Sequence, residues 1–214
     1  KAFSPTGIIL SGGPASVLEQ DAVVCDAEVF ELGVPVLGIC YGMQLIAHLL
    51  DGKVSPADNR EYGRAKLHIK EYSHLLNNVN NNSTVWMSHG DRIDKLPAGF
   101  KSTAYTNNSP IAAIENHTKK VYGLQFHPEV VHTNDGVKIL DNFLFDICGC
   151  AKNWKIKSLA EYAIEGIRSQ VGNGHVVCGL SGGVDSSVVA VLIHKAIGNR
   201  LTCIFIDNGV LREG

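Results

Sequence analysis

A cysteine stands between two glycines in Gly38-Ile39-Cys40-Tyr41-Gly42, where an apolar strand pattern gives way to a helical one. Gly-x-Cys-x-Gly is the thiol counterpart of the Gly-x-Ser-x-Gly elbow, which presents a nucleophile at a sharp strand-to-helix turn. Its glycines permit the turn and close backbone packing, which predicts a side chain exposed above the sheet. The helix that follows aims its N-terminus at the sulfur and favours thiolate. The backbone N–H of Tyr41 would face an oxyanion. The plain alternative is a core cysteine, a common place for a free thiol.

A thiol nucleophile needs a base. Of nine histidines, His48 and His194 fall in helical patterns, and His68, His74 and His117 in polar surface contexts. His127 differs, because it ends the apolar run of "YGLQFHPE" (122–129). Pro128 pushes it towards extended backbone, where residues i and i+2 face the same way. Glu129 can then bond one ring nitrogen and turn the other towards a nucleophile. A surface His-Pro-Glu turn is the alternative. A third strand runs into glycines at "ILSGGPAS" (9–16), where Gly13 could present a second oxyanion N–H or simply make a tight turn.

A second glycine corner, "CGLSGGVDSS" (178–187), follows a strand pattern and opens a helical one. Its small residues let backbone N–H groups converge on an anion at a helix N-terminus. Neither the Walker pattern nor G-x-G-x-x-G is present. A plain glycine turn is the alternative.

The elements that must carry these corners read as α/β. Short apolar runs at 7–10, 34–39, 85–87 and 121–126 predict strands. Mixed charged and apolar residues at helical spacing predict a helix within 19–32. Met43, Ile46, Ala47 and Leu50 fall at i, i+3, i+4 and i+7, so a helix follows Cys40 and ends near Asp51-Gly52. Strand and helix alternate as in a parallel sheet with crossovers. The stretch 66–115 is richer in strands and turns, as in a mixed sheet, with a polar loop at 77–82; a helix over 136–147 closes this part. The pattern restarts after a linker at 149–157: a helix to about residue 170, strand 175–180, helix 186–197 and strand 201–206. The expected domains are 1–149 and 150–214, the second incomplete.

At 214 residues, 45% apolar and 19% charged, with a net charge of −2, the chain has an ordinary globular composition and offers no basic surface for nucleic acid or an anionic membrane. No apolar run is long enough to span a bilayer, and no signal-peptide pattern opens the chain. Six cysteines scattered in apolar contexts suit reduced thiols and a cytoplasmic setting. Cys148-Gly149-Cys150 lacks a second Cys/His pair at ligand spacing, which argues against a metal site.

In order and spacing, Gly-Gly-Pro, then Gly-Ile-Cys-Tyr-Gly-x-Gln, then Phe-His-Pro-Glu resemble the class I glutamine amidotransferases over about residues 5–148. The resemblance implies that Cys40 attacks the glutamine amide and leaves a thioester, that His127 moves the protons, and that Glu129 orients it. Gly13 and Tyr41 would supply the oxyanion N–H groups. Gln44 and Ser88-His89-Gly90-Asp91 match positions that hold glutamine. Family members carry one more strand before 7–10, so a first strand is expected to be missing.

Ser-Gly-Gly-x-Asp-Ser-Ser resembles the PP-loop of ATP pyrophosphatases. By that resemblance Ser181, Gly182, Gly183, Val184, Asp185, Ser186 and Ser187 bind ATP, Asp185 helps hold Mg²⁺, and Asp207 meets the nucleotide. The fold implied is a glutamine amidotransferase domain with a mixed, largely parallel sheet, followed by the start of a Rossmann-like PP-loop domain.

Joined in this order, the two resemble the glutamine-dependent GMP synthetases, purine-biosynthetic ligases. These aminate adenylated XMP with ammonia from glutamine while ATP yields AMP and pyrophosphate. The implied partners are glutamine, ATP with Mg²⁺ as a substrate complex, and XMP, with no tightly bound metal or organic cofactor and a homodimeric full-length protein. Another glutamine-dependent ATP-pyrophosphatase ligase, a regulatory glutaminase-like module and a cysteine peptidase remain as alternatives.

Overall fold

The computed structural model describes residues 4–153 and 156–205. They fall into two compact units, divided between Ala151 and Lys152. Asp207 lies outside the described residues.

The first unit begins with β1 (Ile8–Leu10), a 3-10 turn (Ala27–Glu31), β2 (Val36–Ile39) and α1 (Tyr41–Leu49). There follow β3 (Lys53–Lys66), β4 (His68–Ile69), β5 (Thr84–Lys95), β6 (Lys101–Tyr105), β7 (Ala113–Asn116), β8 (Val121–Leu124) and α2 (Gly136–Asp141). The central sheet runs β1-β2-β8-β7-β6-β4. It is mixed: β1, β2 and β8 are parallel, and β7, β6 and β4 continue it antiparallel. The long strands β3 and β5 form a separate antiparallel ribbon.

Strands β2 and β8 are buried along their whole length, which is why they read as unbroken apolar runs rather than alternating ones. Leu37, Ile39, Tyr122 and Leu124 face a core with Phe143 and Ile139. Val36 and Val121 face the opposite core, shared with Met43, Ile46 and Ala47 of α1. Gly38 and Gly123 are register partners on neighbouring strands. A Cβ on Gly38 would fall 2.5 Å from the Gly42 backbone, and one on Gly123 would fall 2.8 Å from Met43 Cγ. The paired glycines therefore make a flat step on which α1 rests, and only hydrogen fits there.

Three local expectations change. The helix expected within 19–32 is reduced to the 3-10 turn, opened by the Asp26 side chain accepting from the Glu28 N–H. Phe30 is buried but Val23 and Val24 are exposed, so the segment has no continuous apolar stripe to hold a helix down. The Tyr41 hydroxyl also bonds the Val23 carbonyl at 2.8 Å. The strand expected at 85–87 extends through Lys95, because β3 supplies a partner that hydrophobicity does not reveal. The helix over 136–147 becomes α2 followed by a π-helical turn, Asn142–Ile147.

The second unit contains α3 (Ile156–Val171), β9 (Val176–Leu180), α4 (Val184–Ile197) and β10 (Leu201–Phe205). Strands β9 and β10 are parallel and joined through α4. Among the described residues no helix is long and apolar enough to cross a membrane.

Candidate functional site

Cys40 is the corner residue between β2 and α1, with φ 52° and ψ −105°. A left-handed φ on a non-glycine residue costs of order 1–3 kcal/mol and persists only where its surroundings over-determine it. Here the Cys40 N–H donates to the Leu124 carbonyl at 2.7 Å, while its own carbonyl accepts from the N–H groups of Met43 and Gln44. Tight packing does the rest, since a Cβ on Gly42 would fall 2.1 Å from the Leu10 carbonyl oxygen.

The expected exposed, thiolate-prone sulfur is not what this geometry produces. Cys40 is only 4% exposed. Burial first, and then the Glu129 charge, push its thiol up to about 11 against the Tyr41 N–H and Gln125, which favour the thiolate. The helix N-terminus does not offset desolvation at this depth. The group is a thiol, donating to the Ser88 carbonyl at 3.4 Å, so it needs a base at the moment of attack.

His127 stands where a base is needed. A Cβ on Gly12 would fall 2.8 Å from His127 Cε1 and 3.6 Å from Cys40 Cβ, so both side chains converge on one point of the glycine turn. The far ring nitrogen, Nδ1, lies 2.6 Å from Glu129 Oε1, which leaves Nε2 available. The His127 backbone is clamped as well: its N–H donates to Trp86 O, and its carbonyl accepts the Thr133 hydroxyl at 2.6 Å.

Around the sulfur opens a cavity of about 590 Å³, lined by Gly13, Cys40, Tyr41, Gln44, Ser88, His89, Gly90 and Asp91 among others. Each residue expected at the glutamine site or the oxyanion position is thus at one cavity. Gln44 donates through Nε2 to the Asp91 carbonyl at 3.1 Å and towards Gln125 Oε1 at 3.4 Å. The Ser16 hydroxyl, beside the Gly13 turn, bonds the Asp91 carboxylate. His127 and Glu129 do not line this cavity; the His127 ring meets Cys40 at the Gly12 turn. A nucleophile beside an oriented imidazole, with the Gly13 and Tyr41 backbone on the cavity, has the parts for acyl transfer from an amide.

Residues 1–147 match the family "Glutamine amidotransferase class-I". The chain belongs to the class-I glutamine amidotransferases.

Residues 157–208 match the family "NAD synthase". Over 213 residues, the whole chain is 56% identical to a GMP synthase [glutamine-hydrolyzing] of Acetivibrio thermocellus and 55% identical to one of Brachyspira hyodysenteriae. It spans 42% and 41% of those proteins' lengths. A crystal structure of a Thermoplasma acidophilum protein, named as one subunit of a GMP synthase, is similar over 67% of this chain and 73% of that one, at TM-score 0.59 and 30% identity.

The second corner sits in the other unit of this amidotransferase chain. Gly182 has φ +77°, and Gly183 caps α4 without a side-chain hydrogen bond, so the first N–H groups of the helix stay open to a ligand. Hydroxyls shape the loop: Ser186 Oγ and Ser187 Oγ both donate to the Gly183 carbonyl, at 3.1 and 2.9 Å, and Ser181 Oγ lies 3.1 Å from Ser186 Oγ. Asp185 is exposed in the first turn. A carboxylate beside open helix N–H groups would suit Mg²⁺ carried by an anionic ligand, since that ion takes oxygen donors.

Two participants escape the motif reading. Gln125, 1% exposed, donates to Cys40 Sγ at 3.9 Å; its signal is a polar residue inside an apolar strand run. Glu61, 7% exposed, lies on β3 far from any motif.

Proposed function

We propose that the chain is the amidotransferase part and the opening of the synthetase part of a glutamine-hydrolysing GMP synthetase. The supporting observation is the convergence of Cys40 and the His127–Glu129 pair on Gly12, in a chain whose relatives above carry that activity in their names. The domains would be 1–149 and 150–214.

With the Cys40 proton held to about 11, attack and proton transfer go together. Sγ bonds the glutamine amide carbon as His127 Nε2 takes the thiol proton, and Glu129 stabilises the imidazolium. The oxyanion meets the N–H groups of Tyr41 and Gly13. His127 returns the proton to the leaving nitrogen, which departs as ammonia. Water, deprotonated by His127, then cleaves the thioester to glutamate. In the second unit, residues 181–187 would cradle the pyrophosphate end of ATP, and Asp185 would hold its Mg²⁺. XMP would be adenylated there and aminated by the ammonia. The reading extends to a cytoplasmic, homodimeric full-length enzyme.

The test uses full-length protein with XMP, ATP and Mg²⁺, supplied with glutamine or with ammonium. GMP, AMP and pyrophosphate should form from both nitrogen sources. Amination of a different acceptor would favour another ligase of this type, and glutamine hydrolysis without any ATP cleavage would overturn the assignment.

A further inference from the structure

Behind the cavity wall lies a buried charged cluster that the mechanism above does not use. Glu61 and His89 stand directly opposite each other in the β3–β5 register, just past an irregularity between Pro56 and Glu61. The bulged residues Ala57 and Arg60 reach the cavity; bulges beside sites commonly re-aim side chains in this way. Thr106 and Ser109, each 2% exposed, complete the cluster from the turn after β6.

Both nitrogens of the His89 ring have partners. Its Nδ1 lies 2.9 Å from the Asp91 carbonyl oxygen, which can only accept, so Nδ1 carries a proton. Its Nε2 lies 3.2 Å from Ser109 Oγ and 3.5 Å from Glu61 Oε2. The Ser109 hydroxyl donates to Glu61 at 2.7 Å, so it lies between the carboxylate and the ring. Glu61, Ser109 and the ring thus form one buried hydrogen-bonded cluster, with the Thr106 hydroxyl also donating to the Glu61 carboxylate at 3.0 Å. Burial works to raise the Glu61 carboxyl, but the hydrogen bonds from His89, Ser109 and Thr106 and the His89 charge hold it below the usual value. A buried carboxylate satisfied in this way is strongly directional.

The ring reaches the chemistry through one strand segment. Ser88 presents its carbonyl to the Cys40 thiol. The Asp91 carbonyl that accepts His89 Nδ1 also accepts Gln44 Nε2, and the Asp91 carboxylate holds Ser16 beside the Gly13 turn. Residues 88–91 thus join the nucleophile, Gln44 and the expected oxyanion loop, and the His89 ring anchors the segment from behind. We propose that Glu61 is a positioning residue of the glutamine site: with Ser109 and Thr106 it holds the His89 ring in place, which fixes residues 88–91 in the conformation that receives glutamine. This rests on the glutaminase reading above.

The experiment uses full-length enzyme. Glu61→Gln keeps the shape and removes the charge. It should raise KM for glutamine about tenfold or more while kcat changes less than about threefold, because misplacing a binding wall costs recognition before chemistry. In a His89→Asn background the same change should add less than about twofold, as expected of two residues acting as one unit. Ser109→Ala, which removes one link between Glu61 and His89, should raise the same KM by a smaller factor, and it tests the cluster even where Glu61→Gln fails to fold. An unchanged KM with only a lower Tm, or additive effects in the double variant, overturns the proposal. Absence of glutaminase in wild type would instead overturn the reading beneath it.

Discussion

The two glycine corners share a plan and differ in almost every physical quantity. Each joins a parallel strand to a helix whose first residue has no side-chain cap, so each leaves helix N–H groups for something other than protein. At the first corner the central residue is a buried cysteine with a left-handed φ, wedged against glycines that admit no Cβ. At the second the left-handed φ falls on Gly182, and the loop is open to solvent. A nucleophile must put one atom in one place away from water, and strain and close packing achieve that. The phosphate cradle proposed for the second corner would work through several weak donors at once and would have to be reached by a large polar ligand, which fits an exposed, permissive loop.

The largest expected effect separates the two corners by chemistry. In full-length enzyme, Cys40→Ala should lower glutamine-driven GMP formation on the order of 10⁴-fold, while ammonium still supports synthesis at close to the wild-type rate. Loss of both reactions in a folded variant would join the corners into one site. The converse variant is Asp185→Asn. Removing charge stabilisation at the nucleotide should lower ATP–pyrophosphate turnover about 10²-fold and leave ammonia release from glutamine intact. Equal losses would mean that the second corner shapes the first.

Packing gives a sharper contrast. Gly42→Ala places a Cβ 2.1 Å from the Leu10 carbonyl, and overpacking against backbone should cost about 3 kcal/mol. Gly183→Ala meets only the Ser181 hydroxyl at 3.4 Å with φ −86°, so it should cost less than about 1 kcal/mol. Denaturant unfolding of both variants measures the difference, and equal losses would remove the distinction between a rigid and a permissive corner.

The smallest effect concerns pH. A thiol held to about 11 loses its proton only as pH approaches that value, and the thiolate is the form that reacts with iodoacetamide. Without glutamine, Cys40 alkylation should therefore climb about tenfold per pH unit from 8 to 10, where a thiol at the ordinary value of 9.0 would level off. A rate already flat from pH 8 to 10 would mean that His127 holds the thiolate before substrate arrives, and levelling near 9 would mean that burial does not perturb the thiol.

The alternation of strands and helices, both corners, and the candidate residues at Cys40, His127 and 181–187 were legible from residue types alone. Glycine spacing, apolar runs and a proline after histidine are local signals, and each acts within a few residues of itself. The burial of β2 and β8 was legible for the same reason, since a strand covered on both faces is apolar throughout. The segment 19–32 misled because helical spacing gives periodicity without saying whether a surface exists to bury the stripe. Val23 and Val24 found none.

What tertiary structure alone decided is the environment of each group. The sequence places a thiol at the elbow, but only the closure of β8, β5 and α1 around it made it buried and raised its affinity for a proton. The partnership of Glu61 with His89 and Ser109 joins three elements through a hairpin register. No local pattern encodes such a register, because it depends on which strands meet and on the bulge between Pro56 and Glu61. Chemistry-bearing residues are written into short stretches, whereas desolvation and proton sharing depend on distances between segments remote in the chain. The fold sets those distances.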